Sequence, residues 1–146
     1  MRTKPVMTLE DARHAIDTMR SLAQAHLDEH PGNAAVMVVV DDHGELIALE
    51  RMDGAPYQSV TIATNKAFTA ARTASPTADL GALNTAAKRG EGNFEFAFFG
   101  DARMIGWGGG MPVMVDGVCV GAVAISGLPE AIDKQIAAAG VAAILG

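Results

Sequence analysis

Arg51, Asp53 and Lys66 are the first residues of this sequence whose types suit chemistry at a shared point. Arg51 and Asp53 belong to the turn Arg51-Met52-Asp53-Gly54-Ala55, and Lys66 follows on what reads as the next helix. A guanidinium fork and an ammonium could hold the carboxylate of a small organic acid, with Asp53 acting as a general base or a binding acceptor. The same residues also have a structural reading, in which Asp53 caps its turn or helix, Arg51 pairs with it and Lys66 points to solvent. Two more carboxylates are catalytic candidates. Glu95 stands among Phe94, Phe96, Phe98 and Phe99. Strand alternation would expose it, whereas a loop folded over a pocket would desolvate it and raise its pKa. Asp133 lies near the start of the last helix, where a carboxylate also suits the helix dipole.

The glycines of Gly106-Trp107-Gly108-Gly109-Gly110 do not form a dinucleotide fingerprint, because position 111 is Met and the segment leads into a strand. What Gly109 and Gly110 permit is close backbone approach, either to a ligand or to Trp107 and a neighbouring subunit. Ser126-Gly127 lacks the flanking glycines of a nucleophile elbow. The only cysteine, Cys119, lies between Val118 and Val120 and reads as a buried thiol. One cysteine excludes an internal disulfide and any zinc site with two thiolates, and no metal-ligating set is apparent. His26, His30 and His43 read as structural or solvated. His14 falls opposite the apolar stripe of the first helix, beside Glu10 and Asp17, and is therefore solvated or at an interface.

The elements that must position these groups follow from the apolar pattern. Leu9, Ala12, Ile16, Met19, Ala23 and Leu27 trace one helical face. Thr8 and Asp11 offer a capping pattern, and Pro31-Gly32 ends a helix over 8–30. Ala34 to Val40 and Leu46 to Leu49 flank the turn Asp41-Asp42-His43-Gly44 and predict a hairpin. Beyond Pro56, which suits a first helical turn, Val60, Ala63, Ala67 and Ala71 share a face up to Ser75-Pro76. A shorter helix follows from Thr77 to about Ala87. Part of Phe94 to Met104 is read as a strand. Asp116-Gly117 between Met111–Val115 and Val118–Ile125 predicts a second hairpin. Ile132, Ile136, Ala139 and Ala143 then lie along a last helix. The expected fold is α+β, a single antiparallel five-stranded sheet built from hairpins and flanked by helices, in the order α-β-β-α-α-β-β-β-α.

The chain has 146 residues, 49% of them hydrophobic and 19% charged, with a formal net charge of −6. One domain spanning 1–146 is expected. Of the hydrophobic residues 27 are Ala and only 7 are aromatic, so the core must form by close backbone approach. Seventeen acidic against eleven basic residues oppose binding to a phosphate backbone, so no nucleic acid partner is expected. The longest wholly apolar run, Ala34 to Val40, is too short to span a bilayer, so no membrane partner is expected either. No secretory signal precedes the first helix, which points to the cytoplasm.

With these elements in place, the sequence resembles the GlcG/HbpS-like family. The likeness lies in Val40-Asp41 with Gly44, the Arg51–Ala55 turn, Lys66-Ala67-Phe68-Thr69-Ala70, Gly109-Gly110-Met111-Pro112-Val113, Asp116-Gly117-Val118 and Gly121-Ala122. It continues through Ser126-Gly127 with Asp133, Ile136, Ala137 and Gly140. It covers 8–76 and 108–146 well and 77–107 poorly. The resemblance implies a five-stranded sheet flanked by helices, homo-oligomeric assembly, and a small-molecule ligand. That ligand is a haem or other tetrapyrrole in some members, and a helix-one histidine such as His14 resembles the placement of a haem ligand. Other members are the C-terminal domain of a corrinoid adenosyltransferase or accessories to catabolic pathways. The expected function is thus a small-ligand-binding protein accessory to a catabolic pathway, with haem or another tetrapyrrole as the ligand the resemblance suggests. The alternative is a cofactor-independent lyase or isomerase in which Arg51 and Lys66 hold a small carboxylate while Asp53, Glu95 or Asp133 moves a proton.

Overall fold

The computed structural model describes residues 1–146. The first helix, α1, runs Leu9–Glu29 behind a capping box. The Asp11 N–H donates to Thr8 Oγ1 at 3.1 Å, and the Thr8 N–H donates to the Asp11 carboxylate at 2.8 Å. Strands β1 (Val36–Asp41) and β2 (Leu46–Arg51) form the first hairpin, and helices α2 (Gln58–Thr73) and α3 (Thr77–Lys88) follow. Strands β3 (Gly110–Val115) and β4 (Val118–Ser126) form the second hairpin before α4 (Glu130–Leu145). All strand pairs are antiparallel and the sheet order is β2-β1-β4-β3, so the two hairpins join through the β1–β4 pair.

Alternation along β1 and β4 sends side chains to two separate cores. Met37, Val39, Val123 and Ile125 pack with Ala12, Ile16 and Met19 of α1 and Ile136 and Ala137 of α4. Val36, Val38, Val40, Ala122 and Ala124 pack on Ala63, Ala67, Ala70 and Ala71 of α2. The sheet is therefore sandwiched, which is why β1 reads as an unbroken apolar run. Small residues on both sides of the second core bring α2 close to the strands, as the alanine-rich face led one to expect.

The expected five-stranded sheet is corrected to four strands, and one strand drops out of the predicted element order. Phe94 to Met104 contains a single 3₁₀ turn, Phe96–Phe99, and pairs with no strand. Gly92 and Gly100 bracket it with φ of 106° and 66°, and the aromatics satisfy one another locally. Phe94 meets Phe96 edge-on at 5.0 Å and Phe99 at 5.9 Å between ring centroids. Cys119, expected buried, is half-buried, beside a register shift in the β3–β4 ladder.

The chain between this turn and β3 is tied to α2. Thr69 Oγ1 donates to the Arg103 carbonyl at 3.3 Å and accepts from the Ile105 N–H at 3.1 Å, while the Arg103 guanidinium stacks 3.7 Å from the Phe68 ring centroid. Gly106 then passes against α3 so closely that a Cβ on Gly81 would lie 2.0 Å from the Gly106 carbonyl oxygen. This contact fixes where Trp107 and the following glycines begin. A Gly→Ala change inside a helix ordinarily stabilises by about 1 kcal/mol. Gly81→Ala should instead lower the free energy of chemical denaturation by about 1–3 kcal/mol through overpacking. A gain in stability would contradict the packing of α3 on Gly106.

Candidate functional site

Lys66 sits on α2 in phase with Ala63 and Ala70, residues three before and four after it, and is 3% exposed. Its stem therefore runs along the sheet, and its ammonium emerges where β4 ends. There Nζ donates to the Ile125 carbonyl at 3.0 Å and lies 3.5 Å from Asp133 Oδ2. Asp133 is 2% exposed and comes from the first turn of α4, in phase with buried Ile136, Ala137 and Gly140. Its other oxygen accepts from the Leu128 N–H at 3.3 Å, which anchors the carboxyl across the start of the helix.

The glycine run makes room for this pair. A Cβ on Gly109 would lie 2.9 Å from Lys66 Nζ and 3.2 Å from Asp133 Cβ, and one on Gly110 would lie 2.6 Å from the Lys66 carbonyl oxygen. Gly109 also holds φ of 119°, in the region only glycine adopts readily. The Gly110 N–H donates to Thr77 Oγ1 at 3.0 Å and the Gly108 N–H to Glu130 Oε1 at 2.9 Å. The close approach predicted for these glycines is thus toward Lys66, Asp133 and Glu130.

Outside the pair lies an open cleft of about 320 Å³ whose lining includes Asn33, Ser59, Trp107, Ser126 and Glu130 beside Lys66 and Asp133. Trp107 is 61% exposed at this cleft and is the chain's single tryptophan. Burial pushes the Asp133 carboxyl up to about 7, opposed by Lys66 and by the Leu128 N–H. Burial likewise pushes the Lys66 ammonium down, opposed by Asp133. A buried ion pair contributes little net stability, because desolvation offsets most of its attraction. A perturbed pair that lines a cleft is instead a mark of a binding or proton-transfer site.

The structure brings Lys66 together with Asp133, Gly109 and Gly110. Arg51 and Asp53 lie outside that cleft's lining. Arg51 is exposed at the end of β2 opposite Val36, and Asp53 is exposed beside a larger hollow of about 840 Å³ next to Arg20, Gln24 and Met52. Glu95 is exposed at the start of the 3₁₀ turn. His14 is exposed on α1, 3.9 Å from a Glu10 carboxylate oxygen, in a shallow hollow with Leu9, Arg13 and Asp17. Residues the sequence reading did not single out are Asn33, Ser59 and Glu130. Lys66 and Asp133 instead lie in phase with residues that the folded helices bury, Ala63 and Ala70 on α2 and Ile136, Ala137 and Gly140 on α4.

Comparison with known proteins gives a consistent picture. The model of the family described as "Haem degrading protein HbpS-like" matches residues 7–142. An uncharacterised 15.0 kDa protein from the dhaT-dhaS intergenic region of Citrobacter freundii is 32% identical over 102 residues, 70% of each chain. A doubly substituted HbpS from Streptomyces reticuli superposes with a TM-score of 0.82 at 29% identity, covering 100% of this chain and 91% of the other. The crystal structure of a PduOC–haem complex superposes with a TM-score of 0.83, covering 95% of both chains. At 24% identity that likeness speaks for the fold.

The raised Asp133 carboxyl has a consequence for stability. Between about pH 4 and 7 the folded state holds a proton that the unfolded state has released, so Asp133 stabilises the fold at the acid end and that contribution is lost as pH rises. Denaturation curves of the protein and of Asp133→Asn, taken across this range, should show a difference in unfolding free energy that changes by about 1 kcal/mol or more. A constant difference would contradict the desolvated carboxyl.

Proposed function

The chain belongs to the HbpS-like family, and from that premise we propose that it is a small-ligand-binding protein whose Lys66 cleft takes a molecule bearing a carboxylate. The observation that carries this reading is the Lys66 ammonium, almost fully removed from water yet lining an open cleft with Ser59, Ser126 and Asn33. Water is excluded behind it by Gly109 and Ile125, so a ligand anion meets the charge in a low-dielectric setting where a charge-assisted hydrogen bond is strong. The hydroxyls and the amide can orient the remainder of a small ligand, and the indole of Trp107 offers it an apolar wall.

Haem enters through the family's description, and the residues fit it only at the iron. The Lys66 cleft is lined by none of the His, Cys, Met or Tyr side chains that hold haem iron. His14 offers an accessible imidazole, but Leu9 is the one hydrophobic residue in its hollow, too little apolar surface for a macrocycle within one chain. Haem bound through His14 is therefore a second reading at a separate place. It requires a saturable Soret band that is lost in His14→Ala, and a haem titration without such a band would remove it.

For the first reading, Trp107 emission should respond saturably to succinate. Lys66→Met should weaken that response by about 10- to 100-fold, the worth of one charged hydrogen bond. Methionine keeps the stem's volume, and Asp133 can remain protonated beside it. Equal succinate affinity in the two proteins would overturn the assignment of the cleft.

A further inference from the structure

Resting on the reading of the cleft as a carboxylate site, we propose that the ligand's carboxylate enters together with a proton, which Asp133 takes up as it is displaced from its role as counter-ion to Lys66. The charges in the site lead to this. Lys66 is the single buried cation, and Asp133 Oδ2 already stands 3.5 Å from its Nζ. Glu130, at the same cleft, is held there by the Gly108 N–H. A ligand carboxylate added to this set would put three carboxylates around one ammonium. Two carboxylates that share one desolvated site cannot both stay ionised at little cost, so one of them takes a proton.

Asp133 is the group placed to do so. Glu130 is exposed, so water stabilises its charge, whereas Asp133 is buried. The other faces around Asp133 bring no further charge. β4 and the turn after it contribute Ser126, the Ile125 carbonyl and the Leu128 N–H, and the approach to β3 contributes Gly108 to Gly110. α1 packs on α4 through Ala12, Ala15, Ile16 and Met19. On α4 itself, the exposed Lys134 lays its stem against Gly108. Once protonated, Asp133 keeps its bond from the Leu128 N–H and gains an O–H that can donate to the incoming carboxylate. The proton comes from solvent, no covalent bond of the ligand changes, and the net charge of the buried group is the same before and after binding.

The raised Asp133 carboxyl fits this scheme and sets where it is felt. Below neutrality the proton is already in place and the ligand meets a free ammonium. Above neutrality each ligand must bring its proton, so affinity falls about tenfold per pH unit.

The test is calorimetric titration of the whole protein with succinate, which is almost fully ionised throughout, from pH 6.5 to 8.5. At pH 8 it is repeated in two buffers of different ionisation enthalpy. The expected result is uptake of close to one proton per succinate at pH 8 and a tenfold loss of affinity between pH 7.5 and 8.5. In Asp133→Asn the uptake should vanish and the affinity become independent of pH. Succinate binding without proton uptake and without pH dependence would overturn the proposal while leaving the cleft as a carboxylate site. Absence of succinate binding at every pH would overturn the reading of the cleft and this proposal with it. If Asp133→Asn does not fold, the two-buffer measurement on the unaltered protein decides the matter alone.

Discussion

The desolvation of one ammonium governs the rest of this site. Lys66 leaves water because α2 must lie close to the sheet, and α2 lies close because Ala63, Ala67 and Ala70 meet Ala122 and Ala124 across the second core. Once the stem is enclosed, Nζ must find acceptors within reach, and the end of β4 and the first turn of α4 supply the Ile125 carbonyl and the Asp133 carboxylate. The backbone from Trp107 into the start of β3 then has to pass beside both groups with no side chain in the way, which is the role of Gly109 and Gly110. Four elements separated in sequence are thereby committed to one point. The cost of burying that charge makes the point a place where an outside anion can do useful work.

Much of this architecture was legible in the sequence, and the reasons differ from element to element. The capping box at Thr8, the two hairpins and the alanine face of α2 are local or strictly periodic features, so composition and spacing carry them. The fifth strand failed because the phenylalanines of 94–99 mimic strand alternation while packing on one another, with Gly92 and Gly100 turning the chain at either side. Lys66, Gly109, Gly110 and Asp133 were each singled out, yet in separate contexts. Nothing in their spacing states that Lys66 turns its back on Arg51 and Asp53, which precede it, and meets Asp133 far along the chain. That meeting is a property of the β1–β4 pairing, which no local signal encodes.

The family shared with HbpS frames the protein without fixing its ligand. The relatives superpose over nearly the whole chain, so the sandwich of helices on a hairpin-built sheet is common to them. What a fold carries is decided by the site, and one scaffold serves several chemistries. In this chain the buried pair and its cleft lie on Lys66, Asp133 and the glycine run, while His14 stands on the outer face of α1. The aromatic stretch from Phe94 to Trp107 leads toward that cleft. It is docked on α2 through Thr69 and Phe68, and it ends in the indole beside the cleft.

The most direct measurement is a crystal structure of the protein grown with succinate at a concentration that saturates the Trp107 response. The account predicts a succinate carboxylate within hydrogen-bonding distance of Lys66 Nζ, between Trp107 and Ser126. A fully occupied succinate elsewhere on the protein, with only solvent beside Lys66, would contradict it.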